Sequence, residues 1–274
     1  MNQIPEIDSH TLVYGVIGKP VGHSLGPLMH NRAFAAVGYP GVYAAFEVSD
    51  VKAAMTGIRA LNIRGVSVTI PHKEAVMDCL DAVDASAQTI GAVNTVVNTG
   101  GRLAGYNSDA HGAVKALLEK TPVKDRHVVI LGAGGAARAI GFGLKKEGGR
   151  VCILNRTFEK ARSLADLLQA DARPLSDFPD IPCDILINTT SVGMHPETDA
   201  MPVPAGDLHA QMTVMDIIYN PLQTRLLQAA QAAGAQTIDG VAMFVYQGAM
   251  QFELWTGKAA PVDLMKKTVY EALQ

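Results

Sequence analysis

Strand-like and helix-like patterns alternate along almost the whole of this chain of 274 residues. Runs rich in β-branched and aromatic residues, such as LVYGVIG at 12–18 and VYAAFEV at 42–48, are each followed by a helical pattern. A strand that rejoins its sheet through a helix runs parallel to the strand before it. The alternation therefore predicts an α/β fold with mostly parallel sheets.

In the first part of the chain, helical patterns are predicted over 27–37 and 51–61. The stretch VSVTIPHKEAV at 66–76 has the pattern of a strand followed by an amphipathic helix, with Lys73 at the opening of that helix. Two strand-like runs separated by TGGR predict a hairpin over 92–106. One pair of strands in this sheet is therefore predicted to be antiparallel.

A second alternation begins at HVVILGAGGAARAI and continues through RVCILNRT, CDILINTT, TVMDIIY and QTIDG. The tail holds two amphipathic helical patterns that no strand follows, and their apolar faces need a surface to cover. We expect them to pack back on the first domain. The predicted domains are 1–109, completed by 244–274, and 110–243.

The charge balance argues against several classes of partner. The formal net charge is -3, so no basic field favours binding to nucleic acid or to an anionic membrane. No run of about 18 apolar residues indicates a membrane span. The three cysteines show no C-x-x-C spacing, which favours reduced thiols and a cytoplasmic protein. No histidine motif predicts a metal site. We expect a small-molecule partner and a monomer or homodimer.

The stretch VVILGAGGAARAI has the pattern of a phosphate-binding turn. Gly132, Gly134 and Ala137 form G-x-G-x-x-A between a strand and a helix. The first glycine permits the tight turn, the second lets the backbone approach a pyrophosphate, and the third position must be small for packing. Because a strand precedes and a helix follows, we favour a dinucleotide site over a turn that serves packing alone.

The end of the next strand predicts which dinucleotide binds. An NAD site usually carries an acid there for the ribose 2′-hydroxyl, but this chain has Asn155, Arg156 and Thr157. A guanidinium with neutral donors beside it suits a 2′-phosphate. NADP(H) is the predicted cofactor, and the alternative is that Arg156 is an ordinary surface residue.

Two charged residues fall where strands are predicted to end. Lys73 follows VSVTIP, and Asp109 follows LAGYNS at the start of a predicted helix. Asp109 alone has the simpler interpretation of a helix N-cap. Together the two residues form a candidate acid/base pair.

The chain resembles the shikimate dehydrogenase family over nearly its whole length. The resemblance is carried by VIGKPVGHSLGPLMHN, VTIPHKEAV, IGAVNTVV, GYNSDAHG, GAGGAARA, NRT, NTTSVGM, DIIYNP and YQGAMQFELWTG. It implies an N-terminal substrate domain completed by the C-terminal helices, and a Rossmann-like NADP domain. It also implies reversible hydride transfer between 3-dehydroshikimate and shikimate, in the chorismate pathway of aromatic amino acid biosynthesis.

The resemblance also implies roles for individual residues. Lys73 and Asp109 match the catalytic pair of the family. The positions that match substrate-binding residues are Ser24, Gly26, Thr69, Asn94 and Gln247. Those that fall in the cofactor motifs are Gly132, Gly134, Gly135, Ala136, Asn155, Arg156, Thr157, Thr190, Tyr219 and Met243. Gln251 lies on the same helical face as Gln247, and the sequence leaves its role open.

This chain departs from the family pattern around the substrate. The usual Ser-x-Ser reads Ser24-Leu25-Gly26, and Ser67, Ser108 and Ala110 stand where Asn, Thr and Gly are common. Gly26 opens space beside the carbon that bears the carboxylate, where quinate has a hydroxyl that shikimate lacks. We therefore hypothesise that quinate/3-dehydroquinate is accepted. The alternative is that Gly26 eases the turn before Pro27 while a water replaces the hydroxyl.

Two further functions compete with a shikimate dehydrogenase. An amino- or deoxy-analogue of shikimate is an alternative substrate for the same chemistry. A non-catalytic module that senses NADP would keep GAGGAARA and NRT but would not need Lys73, Asp109, Asn94 and Thr69 together. The joint presence of these four residues favours an enzyme.

Overall fold

The structure, a computed structural model, describes residues 7–274. They form two compact units, the first built from 7–108 with 248–272 and the second from 109–247. Each unit holds a six-stranded sheet with helices around it, so the predicted α/β class is confirmed. Within 7–274, no helix has the length and apolarity needed to cross a membrane.

The first unit is built around β1. Its described residues before 109 form β1 (Leu12–Gly18), α1 (Gly26–Ala36), β2 (Gly41–Glu47), α2 (Val51–Ala60), β3 (Gly65–Val68), β4 (Ala82–Val83), α3 (Ala85–Ile90), β5 (Thr95–Thr99) and β6 (Arg102–Tyr106). The strand order is β2-β1-β3-β5-β6-β4. β1 runs parallel to β2 and β3, whereas β5 is antiparallel to β3 and β6. The predicted hairpin is thereby confirmed.

Helix α2 shows how local sequence fixes an element. The Asp50 side chain accepts hydrogen bonds from two backbone N–H groups of the first turn, a cap that contributes about 1 kcal/mol. Val51, Met55 and Ile58 share one face at helical spacing, and all three are buried. Burial of each side chain contributes about 1.5–3 kcal/mol, so packing outweighs the cap in holding the helix.

The prediction of an amphipathic α-helix that opens at Lys73 is wrong. Lys73 lies in a turn, and the following residues form only a short 3-10 helix, Ala75–Cys79. The backbone N–H groups of Asp81 and Asp84 bond to carbonyl groups of β6. The chain must therefore return to the sheet edge, which leaves no room for further helical turns.

The second unit has the doubly wound topology of dinucleotide-binding folds. It contains α4 (Asp109–Leu118), β7 (His127–Leu131), α5 (Gly135–Lys146), β8 (Arg150–Asn155), α6 (Phe158–Leu168), β9 (Asp171–Pro174), β10 (Ile185–Asn188), β11 (Thr213–Asp216), α7 (Arg225–Ala232) and β12 (Gln236–Ile238). The order β12-β11-β10-β7-β8-β9 is parallel throughout. It reverses between β7 and β10, the position at which such sheets bind ligands. β9 was not predicted, because DARP is short and polar and ends in proline, as only an edge strand tolerates.

The tail forms α8 (Gly240–Thr256) and α9 (Val262–Ala272). In the first unit, the indole N–H of Trp255 donates to the backbone oxygen of Val96 at 3.0 Å. Arg32 on α1 pairs with Glu271 on α9 at 2.8 Å. Because residues 248–272 belong to the first unit, the predicted packing of the tail on the first domain is confirmed.

Candidate active site

The turn after β7 has the geometry of a phosphate-binding turn. Gly132 has a φ of +109°, and a Cβ there would lie 2.7 Å from Thr189 Oγ1. At Gly134, which caps α5, a Cβ would meet nothing within 4 Å, and this N-cap residue has no side chain to bond the helix N-terminus. Gly135 and Ala136 form the first turn of α5. Open space therefore faces the free N–H groups of the helix, as a bound pyrophosphate requires.

The predicted 2′-phosphate residues lie at the end of β8. Arg156 and Thr157 are exposed, and Asn155 Nδ2 donates to the Thr157 carbonyl at 2.9 Å. No carboxylate occurs among these three residues. Their donors and single positive charge fit a phosphorylated ribose better than a free 2′-hydroxyl.

A groove of about 310 Å³ beside this turn contains two cations that the sequence analysis missed. Its lining includes Ala133 of the turn, Arg138 of α5 and Lys160 of α6. Lys160 lies in the first turn of α6, where the helix dipole disfavours a cation. The carboxylate of Glu159 also lines the groove, so the lining carries charges of both signs.

Three more predicted cofactor residues lie farther along the second unit. Thr190 follows β10, and Asn188 Oδ1 accepts hydrogen bonds from its N–H at 3.0 Å and its hydroxyl at 2.7 Å. Tyr219 follows β11, and its ring lies 4.9 Å from that of Phe244. Burial raises the pKa of Tyr219. Met243 is buried on α8.

Asn94 lies in a buried polar cluster of the first unit. Its side-chain oxygen accepts hydrogen bonds from Ser108 N–H and Thr95 Oγ1, both at 2.8 Å. Its Nδ2 donates to Ser108 Oγ at 3.0 Å. Both ends of the Asn94 amide are therefore engaged within the cluster, which holds the side chain in a defined orientation.

The structure gives Gln251 a role that the sequence left open. The side chain is buried, and its Oε1 accepts a hydrogen bond from Ser67 Oγ at 2.7 Å. Ser67 Oγ in turn accepts one from the Tyr43 hydroxyl at 2.7 Å. Gln251 Nε2 donates to Thr95 Oγ1 at 3.1 Å. Gln251 therefore connects β3 and β5 through side chains.

His30 is a buried neutral base beside this cluster. Its ring stacks on Tyr43 with centroids 4.5 Å apart and bonds to the side chain of Gln251. Burial lowers the pKa of His30 to about 3, although the Gln251 bond acts in the opposite direction. Its Nδ1 has no hydrogen-bond partner among residues 7–274. The imidazole is therefore neutral at physiological pH.

Ser24 and Gly26 lie at the start of α1. Ser24 Oγ accepts a hydrogen bond from the Gly26 N–H at 3.2 Å. A Cβ at Gly26 would lie 3.2 Å from Ser24 Oγ and 3.6 Å from the Tyr43 hydroxyl oxygen. The missing hydroxymethyl group would therefore contact both hydroxyls.

The loop that carries Lys73 is held by hydrogen bonds on both sides. The Thr69 N–H donates to β1, and the Lys73 carbonyl accepts from the Val93 N–H at 2.8 Å. The ring of His72 bonds to the Val48 carbonyl at 2.7 Å. The backbone of Lys73 is therefore anchored, and the residue is half-buried.

Asp109 and Gln247 belong to the second unit. Asp109 is buried in the first turn of α4. Gln247 Nε2 donates to the Phe244 carbonyl on α8 at 2.8 Å. A Cβ at Gly112 would lie 2.8 Å from Gln247 N, so α4 and α8 pack closely. Lys73 belongs to the first unit and Asp109 to the second.

No group of three metal-ligating side chains occurs within the described range, residues 7–274.

Three protein-family models match the chain. They are the shikimate dehydrogenase substrate binding domain over residues 16–96, shikimate / quinate 5-dehydrogenase over 114–218, and the shikimate 5′-dehydrogenase C-terminal domain over 240–270.

Relatives and solved structures agree with these matches. The shikimate dehydrogenase (NADP(+)) of Methanosarcina acetivorans is 49% identical, covering 96% of this chain and 99% of its own. A shikimate dehydrogenase solved with NADP+ superposes with a TM-score of 0.96 at 43% identity, covering 99% of both chains. The enzyme of Thermus thermophilus, solved with NADP(H) and shikimate, gives 0.91 at 38% identity, covering 96% of this chain and 100% of the other.

Proposed function

Because this chain belongs to the shikimate dehydrogenase family and is an NADP-dependent oxidoreductase, we propose that it interconverts 3-dehydroshikimate and shikimate with Lys73 and Asp109 as its acid/base pair. We assign the cofactor to the second unit and the substrate to the first. The observation that carries the cofactor assignment is the open space at Gly134 over the uncapped N-terminus of α5.

Reduction adds a hydride to the carbonyl carbon and a proton to its oxygen. NADPH supplies the hydride when it is bound. Lys73 and Asp109 pass the proton to that oxygen in reduction and take it back in oxidation. The anchored loop of Lys73 supports this role because a proton donor must hold a fixed position.

Ring hydroxyls of the substrate need buried hydrogen-bond partners. We assign Asn94, Thr69 and Gln247 to them and Ser24 to the carboxylate. The burial of Asn94 in a polar cluster with Thr95 and Ser108 supports this assignment, because the cluster holds the amide in a defined orientation. Each partner lost from such a site would cost about 1–3 kcal/mol.

The cofactor assignment rests on Arg156 with Asn155 and Thr157 at the 2′-phosphate, on the glycine turn at the pyrophosphate, and on Thr190, Tyr219 and Met243 near the nicotinamide. Arg156→Ala should raise the KM for NADP strongly and barely alter that for NAD. We expect Lys160→Ala to weaken NADP binding as well, because Lys160 lines the groove beside the phosphate-binding turn. Equal losses with both cofactors would refute the assignment.

Quinate is a second candidate substrate, and Gly26 favours it. A Cβ at this position would crowd Ser24 Oγ at 3.2 Å and contact the Tyr43 hydroxyl at 3.6 Å, so a serine here would change the surroundings of both hydroxyls. The test compares kcat/KM for shikimate and quinate in the wild type and in Gly26→Ser. We expect serine to shift the ratio toward shikimate, and an unchanged ratio would show that this space does not select the substrate.

NADP reduction followed by absorbance across shikimate, quinate and amino- or deoxy-analogues separates the candidate functions. A dehydrogenase turns over one or more of these acids, and Lys73→Ala lowers kcat far more than it alters KM. A module that only senses NADP binds the cofactor but turns over none of them. Turnover that survives Lys73→Ala would assign the chemistry to other residues.

A further inference from the structure

Asp216 is a buried carboxylate that the proposed chemistry does not use. It ends β11, and its side chain has no exposed surface. The carboxylate accepts hydrogen bonds from Asn188 Nδ2 at 3.1 Å, from Ile218 N–H at 3.1 Å and from Thr224 Oγ1 at 2.8 Å. These donors come from the end of β10, the loop after β11 and the N-cap of α7. One side chain therefore joins three segments at one edge of the sheet.

The hydrogen bonds continue into the loop after β10. Asn188 Oδ1 accepts from the N–H and the hydroxyl of Thr190. Thr190 Oγ1 accepts from Val192 N–H at 3.1 Å, and Asn188 Nδ2 donates to the Val192 carbonyl at 3.3 Å. The orientation of the Asn188 amide therefore determines where Thr190 lies, and Asp216 is one of the two acceptors that fix this orientation.

The same loop touches the phosphate-binding turn. Thr189 Oγ1 donates to the Leu131 carbonyl at 2.7 Å, and it lies 2.7 Å from the position that a Cβ on Gly132 would take. The loop after β11, fixed at its start by the Ile218 N–H, carries Tyr219. Thr190 belongs to this hydrogen-bond network, Tyr219 directly follows Ile218, and Gly132 directly follows Leu131. All three residues are assigned to the cofactor.

We propose that Asp216 is a positioning residue that orders the two loops at the nicotinamide end of the cofactor site. This inference rests on the proposed function. Burying a charge is costly, and here the three donors that need an acceptor offset part of that cost. That cost is visible in Asp216 itself, since burial raises its pKa to about 6 despite three donors.

The test uses Asp216→Asn, which keeps the shape but replaces one acceptor oxygen of the carboxylate with an NH2 donor and removes the charge. Thr224→Val is the second variant, because it removes the hydroxyl that donates to Asp216. Thr213→Val is the matched control. Thr213 is a buried polar residue at the opposite end of β11, bonded to Gln236 at 3.3 Å, and we expect no effect on cofactor binding.

Calorimetric titrations with two probes distinguish binding at the adenosine half of the cofactor site from binding at the nicotinamide half. The compound 2′,5′-ADP contains only the adenosine half of NADP, whereas NADP+ also contains the nicotinamide half. For Asp216→Asn we expect the Kd of 2′,5′-ADP to stay within about twofold of the wild type, with the Kd of NADP+ about tenfold higher and kcat at saturating cofactor about tenfold lower. Thr224→Val should shift the same two quantities in the same direction.

Equal weakening of both probes would mean that Asp216 supports the whole unit, and this would overturn the inference. Unchanged NADP+ binding and kcat in Asp216→Asn would overturn it as well. Both results leave the proposed function intact, since the wild type still binds both probes. A wild type that binds neither probe would instead overturn the proposed function, together with this inference.

Discussion

Alanine substitutions at the two glycines of the phosphate-binding turn should have different effects. Gly132→Ala should lower stability, whereas Gly134→Ala should weaken cofactor binding. At Gly132, a φ of +109° is strained for any L-residue, at a cost of about 1–3 kcal/mol. The new Cβ would also lie 2.7 Å from Thr189 Oγ1, which its bond to the Leu131 carbonyl holds in place. Such overpacking costs about 1–3 kcal/mol more. Gly132→Ala should therefore destabilise the protein by about 2–6 kcal/mol.

Gly134→Ala is the matched substitution in the same turn. Gly134 has φ −92° and ψ −171°, an extended conformation open to any residue, and its Cβ would meet no protein atom within 4 Å. We expect the free energy of unfolding to change by no more than about 0.5 kcal/mol. The methyl group would nevertheless occupy the space above the N-terminus of α5. We expect the Kd for NADP+ to rise at least about tenfold, equivalent to about 1.4 kcal/mol.

Urea unfolding followed by circular dichroism measures the stability of both variants. Fluorescence is less suitable, because the single tryptophan, Trp255, lies in the first unit and the substitutions are in the second. Calorimetric titration with NADP+ measures binding. Gly134→Ala protein that binds NADP+ like the wild type would refute the phosphate site. Loss of stability in Gly134→Ala equal to that in Gly132→Ala would refute the interpretation of the open space.

Three further predictions concern stability. His30 has a folded-state pKa of about 3, below the value near 6.5 of the unfolded chain, so its contribution is full above pH 6.5 and is lost as pH falls toward 3. Denaturant titrations should show the advantage of wild type over His30→Phe shrinking by about 3 kcal/mol between pH 7 and 4, and a constant difference would contradict this. Asp216 has a raised folded-state pKa of about 6, so its ionisation should lower stability as pH rises from about 4 to 6, by up to about 3 kcal/mol. The stability of Asp216→Asn should not show this decrease between pH 4 and 6. Stability profiles that are identical for the variant and the wild type over this pH range would contradict the buried charge. Gly65→Ala would force a methyl group into the indole of Trp255 and against the Val96 carbonyl, so thermal unfolding should show a loss of about 1–3 kcal/mol; an unchanged Tm would contradict the close packing of α8 on β3.

Periodic patterns predicted most of the fold. The parallel strands β7, β10 and β11 are buried on both faces and read as continuous apolar runs, and the hairpin β5–β6 was marked by its Gly-Gly turn. β9 was missed because an exposed edge strand has no apolar pattern to detect. The prediction of an α-helix after Pro71 was wrong because sequence periodicity carries only local information. The backbone hydrogen bonds from Asp81 and Asp84 to β6 join residues that are far apart in the sequence.

Some residues of the candidate site could be predicted from the sequence, and others could not. The glycine turn has a local signature, so Gly132 and Gly134 could be assigned before any coordinates. The roles of Gln251 and Asp216 could not, because their hydrogen bonds join residues far apart in sequence, such as Gln251 to Ser67 and Asp216 to Asn188.

The most direct test of the proposed chemistry is a double-mutant cycle on Lys73 and Asp109. Steady-state rates of NADPH formation from shikimate are measured for wild type, Lys73→Ala, Asp109→Asn and the double variant. If the two residues act as one acid/base unit, each single change lowers kcat about 10²–10⁴-fold with little change in KM, and the double variant is scarcely slower than the slower single. Independent, multiplicative losses, or a single variant that keeps wild-type kcat, would contradict the pairing.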